Sequence, residues 1–183
     1  MKYEIVTLAA KTVVGVGAVT GNGDPDRNTI ISELWQKLYH GGVAAAINNK
    51  VNTYAIGLYS DYVGDRYTLT VGSEVAKAQN PGLAVKTIPA GRYAKFSVQG
   101  HMVHAVAQAW QEIWQTPLDR SFTGDFEEYQ NNEIEQCNIN IYVALQKQGD
   151  TMDYEKEFER MMATQTELAL ATVADGGPNV RIV

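Results

Sequence analysis

Ten tyrosines and three tryptophans stand among 183 residues. Such rings are large, rigid and polar at one edge, which suits pockets and interfaces. Carboxylates lie close to some of them. In the run Phe126-Glu127-Glu128-Tyr129, a strand would send Glu127 and Glu128 to opposite faces and put Tyr129 on Glu127's side. Other reactive types give less. His101 and His104 are three apart at a helix start, without a nearby Cys or an HExxH pattern, so packing or surface roles are expected and no metal. Gly15-Val16-Gly17 with Gly21 has the wrong spacing for a dinucleotide loop and reads as strand packing. Neither a GxSxG nor a P-loop pattern occurs. Cys137 reads as core.

The totals narrow the function classes. Hydrophobic residues make up 45% and charged residues 20%, which is ordinary for a globular chain and unlike a disordered one. The net charge is −6, and no dense Lys/Arg cluster appears, so direct nucleic-acid binding is not expected. A single cysteine rules out a disulfide framework and a Cys-rich zinc site. There is no signal pattern and no apolar run of the ~20 residues that span a bilayer. The expectation is a cytoplasmic protein with no membrane partner and no cofactor.

The elements follow from periodicity. Residues 11–20 read as a strand, preceded by a shorter one, and 21–26 as a loop. Residues 27–40 read as a helix with Ile31, Leu34, Trp35 and Leu38 in one stripe, capped by Asp26 or Asn28 and ended by Gly41-Gly42. Strands are expected at 53–60 and 66–73, joined as a hairpin. The order then recurs. A strand at 91–99 precedes a helix at 102–115 with Val103, Val106, Trp110, Ile113 and Trp114 on its apolar side. A short strand at 124–130 is followed by a strictly alternating one at 137–145, in which Cys137, Ile139, Ile141, Val143 and Leu145 face one way. Asn138, Asn140, Tyr142 and Ala144 face the other.

The halves constitute an internal repeat. ISELWQKLY (31–39) lies over VAQAWQEIW (106–114), pairing Trp35 with Trp110, and the closing strands align at an offset near 72. The fold class expected is α+β: a duplicated β-α-β-β unit making an antiparallel sheet, two helices on one face, and a cleft between pseudo-symmetric halves. The opposite sheet face, or the groove between the halves, is left for another role.

Over residues 1–147 the chain resembles the AraC-type effector-binding, or gyrase-inhibitor-like, domains of bacterial regulators. The resemblance rests on the duplicated order, on AVAQAWQEIWQ after GRYAKFSVQG, and on DFEEYQNNEIEQCNINIYVAL. It implies a cleft for flat, cationic, lipophilic molecules and a role in transcription regulation or drug resistance. In its FE-x-Y motif Glu127 is similar to the buried glutamate that meets the ligand's charge, and Tyr142 to the aromatic that stacks on the ligand. Tyr129, Asn140 and Trp114, with Tyr54, Tyr59 and Tyr67 from the first half, complete the expected ligand-binding set. The physics agrees: a carboxylate in an apolar site costs several kcal/mol unless compensated, and a cation over aromatic rings gains about 0.5–2 kcal/mol for each.

Two other readings follow from the same resemblance. Some members look like hydrolases of strained electrophilic rings, which would pair Glu127 with a distant carboxylate such as Glu74 or Glu112 of raised pKa. A protein-binding inhibitor, as of gyrase, is the other. The family's regulators often carry an upstream DNA-binding element, whereas this chain starts at the ligand domain, so direct DNA contact is not expected.

Residues 148–183 read as an appendage: a linker, an amphipathic helix over 153–165, and a hairpin from 167–173 and 179–183. FERMMATQTELALATVADGGPNVRIV resembles the opening of a flavin-binding split barrel of the pyridoxamine-phosphate-oxidase type. Most of such a barrel is missing, so flavin binding is not expected. An edge strand there would suit a homodimer through the tail.

Overall fold

The computed structural model describes residues 1–147 throughout and, beyond them, the backbone of residues 169–174 and 177–182. The chain divides into two compact units, Met1–Lys147 and Gln148–Val183. The first unit runs β1 (Glu4–Leu8), β2 (Lys11–Gly21), α1 (Arg27–Tyr39), α2 (Val43–Ala46), β3 (Ala55–Val63), β4 (Arg66–Val75), β5 (Ala84–Ile88), β6 (Gly91–Gly100), α3 (Met102–Gln115), β7 (Asp125–Tyr129) and β8 (Cys137–Ala144). In the second, β9 (Ala169–Ala174) and β10 (Gly177–Ile182) pair antiparallel, with Ala174 opposite Gly177. The helix expected over 153–165 lies outside the described residues.

The duplicated unit is present as β2-α1-β3-β4 and β6-α3-β7-β8. Eight strands form one antiparallel sheet in the order β1-β6-β8-β7-β3-β4-β2-β5. The halves meet where β3 pairs with β7, and there Gly57 faces Glu127, an offset of 70 residues. Val71 faces Gly57 and Ile141 faces Glu127. The strand register therefore carries β4 onto β8 at 70, correcting the offset near 72.

Pleat alternation sends Val14, Leu69, Val71, Phe96, Ile139 and Ile141 toward the helices. There Leu34 and Leu38 of α1 and Val106, Ala109 and Ile113 of α3 are buried. Helix α1 packs chiefly on β2 and β4, and α3 on β6 and β8. The central strands β3 and β7 thus form a floor between the two helices.

Four details depart from the sequence reading. The α3 stripe is turned: Val103 is 65% and Trp114 54% exposed, and Ala109 fills the core position. Asp26 holds the first cap position but accepts no cap bond through its side chain. His101 does cap α3, its Nδ1 accepting from the backbone N–H groups of Val103 and His104. Elements α2 and β5 were not foreseen, being four and five residues long and too short to show a period.

The face opposite the helices is not left open. Val13, Ile56, Leu58, Ile88, Tyr93 and Phe126 form a second core there, each at most 1% exposed. Leu8 faces Gly91 and Lys11 faces Ile88. The β1–β6 ladder therefore runs on into the β2–β5 ladder across Ala9-Ala10 and Pro89-Ala90. Because β6 and β2 belong to opposite halves, this ribbon straps the two edges of the sheet together. The Tyr93 hydroxyl donates to the Pro89 carbonyl at 2.7 Å and holds the strap down.

Phe126 is fully buried, stacked on Tyr142 at 4.3 Å and edge-on to Tyr93 at 5.8 Å. Truncating such a ring leaves a cavity, so Phe126→Ala should lower stability by about 3–5 kcal/mol. Val103→Ala, on the exposed side of α3, should stay within about 0.5 kcal/mol. Urea unfolding of both variants checks the contrast.

Candidate functional site

Glu127 sits in the middle of β7, on the helix side of the floor, and is 2% exposed. Its Oε1 accepts from the Tyr59 hydroxyl at 2.9 Å and from Trp110 Nε1 at 2.6 Å. Its Oε2 accepts from the Tyr129 hydroxyl at 2.7 Å. All three donors are neutral. Among the described residues no Lys, Arg or His forms an ion pair with Glu127. Burial raises the pKa of its carboxyl above the usual value, against the pull of the three hydrogen bonds. Burial, and then the Glu127 charge, push the Tyr59 and Tyr129 hydroxyls well above the ordinary tyrosine value, so both stay donors.

The repeat explains how one carboxylate gathers these groups. At the offset of 70, Tyr59 corresponds to Tyr129 and Gly57 to Glu127. A pseudo-two-fold axis therefore passes between Gly57 and Glu127, and the paired tyrosines reach in from both sides. The helices repeat the pattern. Trp110 of α3 packs edge-on to Tyr59 at 5.7 Å, and Trp35 of α1 edge-on to Tyr129 at 4.9 Å. Each tryptophan has a ring one helical turn on: Tyr39 stacks on Trp35 at 5.8 Å, and Trp114 lies 6.3 Å from Trp110. Gly57 breaks the symmetry where it matters. A Cβ there would come within 3.3 Å of Glu127 Oε2 and 3.3 Å of Trp35 Cζ2. The missing side chain leaves room for one carboxylate on the axis.

The expected site residues divide between the faces. Glu127, Tyr129, Tyr59 and Tyr67 come together on the helix side, Tyr67 edge-on to Tyr59 at 5.3 Å. Trp114 borders them, half exposed at the outer edge of α3. Tyr142 and Asn140 do not join them. Tyr142 pairs with Phe126, and Asn140 with Glu128, the two strand neighbours of Glu127. A strand turns adjacent residues to opposite faces, so both lie behind the floor, Tyr142 in the second core. Tyr54, just before β3, instead lines a cavity of about 520 Å³ with Tyr39, Asn52 and Asn132.

No second carboxylate reaches Glu127 by the routes expected. Glu74 binds Lys11 at 2.8 Å, with Glu128 at 3.9 Å from the same amine, on the far face. Glu112 pairs with the chain's amino terminus at 3.2 Å. The sequence reading took Trp35 and Trp110 for core anchors and gave Gly57 no role. The repeat alignment, which paired the two tryptophans, was the signal that could have placed them at the cage.

The chain matches a known family over most of its length. The family description "Cass2: Integron-associated effector binding protein" fits residues 4–145. The chain belongs to the Cass2 family. A relative of this Cass2 chain is the Bacillus subtilis (strain 168) protein named "Putative transcriptional regulator protein YobU". It is 31% identical over 155 residues, which cover 78% of this chain and 97% of YobU. Two solved structures share the fold. The integron cassette protein VCH_CASS2, from the mobile metagenome of Vibrio cholerae, is 24% identical with a TM-score of 0.66, covering 79% of this chain and 95% of its own. SAV2435 bound to tetraphenylphosphonium is 22% identical with a TM-score of 0.69, covering 80% and 94%. The Cass2 assignment makes this an effector-binding domain, a binder of small molecules. Among the described residues no helix is long and apolar enough to cross a membrane.

The raised carboxyl pKa carries a sign for stability. The folded state holds the Glu127 proton more tightly than the unfolded chain does. The stability this group contributes is therefore full below the ordinary carboxylate value and is lost as pH rises through the raised one. Glu127→Gln should remove that loss, so the difference in urea midpoint between variant and wild type should grow in the variant's favour from pH 4 to pH 8.

Proposed function

We propose that this Cass2-family chain is a receptor for lipophilic aromatic cations, with Glu127 as the counter-charge and the Tyr59, Tyr129, Trp35 and Trp110 rings as the walls. The observation that carries this reading is the buried carboxylate held by three neutral donors, with no cationic partner among the described residues. A charge in that position is expensive unless something positive arrives. An organic cation supplies the opposite charge, and the surrounding ring faces attract it further. A hydrated metal ion fits poorly, because its water shell finds few polar partners among indoles and phenols.

Two features of the relatives support the same reading. SAV2435, which shares the fold, was solved with tetraphenylphosphonium, a cation ringed by four phenyl groups. YobU carries the name of a transcriptional regulator, which is in keeping with a sensor of such compounds in the cytoplasm and with kinship to the AraC-type and gyrase-inhibitor-like domains. Glu127 is 2% exposed. The cation enters between α1 and α3, where Trp110 is half-buried, and the indole yields its bond to the carboxylate as the ligand's charge takes its place.

The test is a titration of intrinsic tryptophan fluorescence with tetraphenylphosphonium and with neutral tetraphenylmethane-type analogues. Micromolar binding of the cation alone is expected. Glu127→Gln keeps the side chain's size and shape and removes the charge, and should weaken binding by about 1.5–3 kcal/mol, the range for a charge-assisted contact. Equal affinity for cation and neutral analogue, or an unaffected variant, would exclude this function.

A further inference from the structure

Beyond the Glu127 cage the floor is asymmetric. On one side, rings step outward from Tyr59: to Tyr67 at 5.3 Å, from there to Tyr62 at 6.0 Å, and from Tyr62 to Phe122 at 5.7 Å. Tyr67 is buried, Tyr62 half-buried and Phe122 51% exposed. At the offset of 70 the other half carries Cys137, Asn132 and Asn52 in their places. The same backbone unit therefore folds without the rings; Tyr67 and Tyr62 pack on the core of their own half, and Phe122 carries the track out to the surface.

Phe122 is held with unusual care. Its φ is +53°, a left-handed conformation that bulky residues rarely adopt and that clusters at functional positions. The Arg120 guanidinium lies 4.4 Å above its ring. Arg120 is in turn bound to the fully buried Asp125 at 2.5 Å, and Asp125 also accepts from the Tyr62 hydroxyl at 2.9 Å and from the Ala144 backbone N–H at 2.7 Å. The Arg120–Asp125 pair is neutral overall. The end of the track thus presents an aromatic surface with no net charge.

We propose that Tyr67, Tyr62 and Phe122 form an outer subsite for a remote, uncharged ring of the ligand that Glu127 binds. This rests on the Glu127 reading and sharpens its ligand class. The preferred molecules are elongated monocations, with the positive charge at one end and a flat aromatic system at the other. Asp125 is already paired with Arg120, so a second positive charge at the far end gains no counter-charge from it and is disfavoured. A compact cation fills the cage and leaves Phe122 untouched, since three ring-to-ring steps separate it from Tyr59.

Two probes on the full chain separate the possibilities: tetraphenylphosphonium, with every ring on the charged atom, and a monocationic styrylpyridinium dye charged at one end. Phe122→Gly removes the ring at a backbone conformation glycine adopts freely, and circular dichroism verifies its fold. The variant should raise the dye's Kd about tenfold, as loss of one stacked ring predicts, and that of tetraphenylphosphonium less than about twofold. Phe122→Trp should keep dye binding. An unchanged dye Kd in Phe122→Gly, or equal weakening of both probes, overturns the subsite. If Glu127→Gln still weakens both probes in that case, the cage stands and the outer subsite alone falls. If wild type binds neither probe, both readings fall.

Discussion

A buried carboxyl group with no positive partner among the described residues is the constraint to which the rest of this domain answers. Glu127 lies at the centre of an eight-stranded sheet, in a place where ionisation is penalised. Three hydrogen bonds from Tyr59, Tyr129 and Trp110 offset part of that penalty, while burial holds the carboxyl pKa above its usual value. The duplication supplies these donors economically. Two copies of one unit bring two tyrosines and two tryptophans to the axis between them, and Gly57 keeps the second copy from adding a side chain where the carboxylate must lie. A single charge in a symmetric cage of rings is the result.

Such a site needs a firm floor, and the second core provides it. The central strands β3 and β7 carry the cage on one side and Ile56, Leu58 and Phe126 on the other. Those residues are sealed by the β1–β2 and β5–β6 ribbon, which ties both halves together behind the cleft. The helices, by contrast, lie over the flanking strands and carry the tryptophans. The floor and the tryptophan walls thus stand on separate elements. On the opposite face Lys11 pairs with Glu74, with Glu128 at 3.9 Å from the same amine.

Much of this was legible in the sequence. The duplicated order, both long helices and the alternating last strand came from periodicity, because long amphipathic elements write their period plainly. Tyr129 beside Glu127 followed from the two-residue repeat of a strand. The misplacement of Tyr142 has a simple cause. It was joined to Glu127 by resemblance, while the pairing of β7 with β8 sets Tyr142 opposite Phe126, and that register is a long-range fact that alternation within one strand does not contain. Trp110 was visible through its alignment with Trp35, but an indole on an apolar stripe reads as core until a buried carboxylate is known to face it. The strap across the second core was illegible for a similar reason. It depends on short edge strands whose partners are distant in sequence.

If ionised Glu127 meets the bound ligand's charge, binding is linked to loss of its proton. Cation binding favours the carboxylate, so a ligand that binds while part of the population is protonated must expel a proton. Calorimetric titration with tetraphenylphosphonium, run near the raised carboxyl pKa in two buffers of different ionisation enthalpy, counts that proton. The expected result is a buffer-dependent heat that corresponds to proton release, that fades as pH rises well above the raised value, and that is absent in Glu127→Gln. A heat independent of buffer throughout the acidic range, or the same proton release from Glu127→Gln, would contradict it.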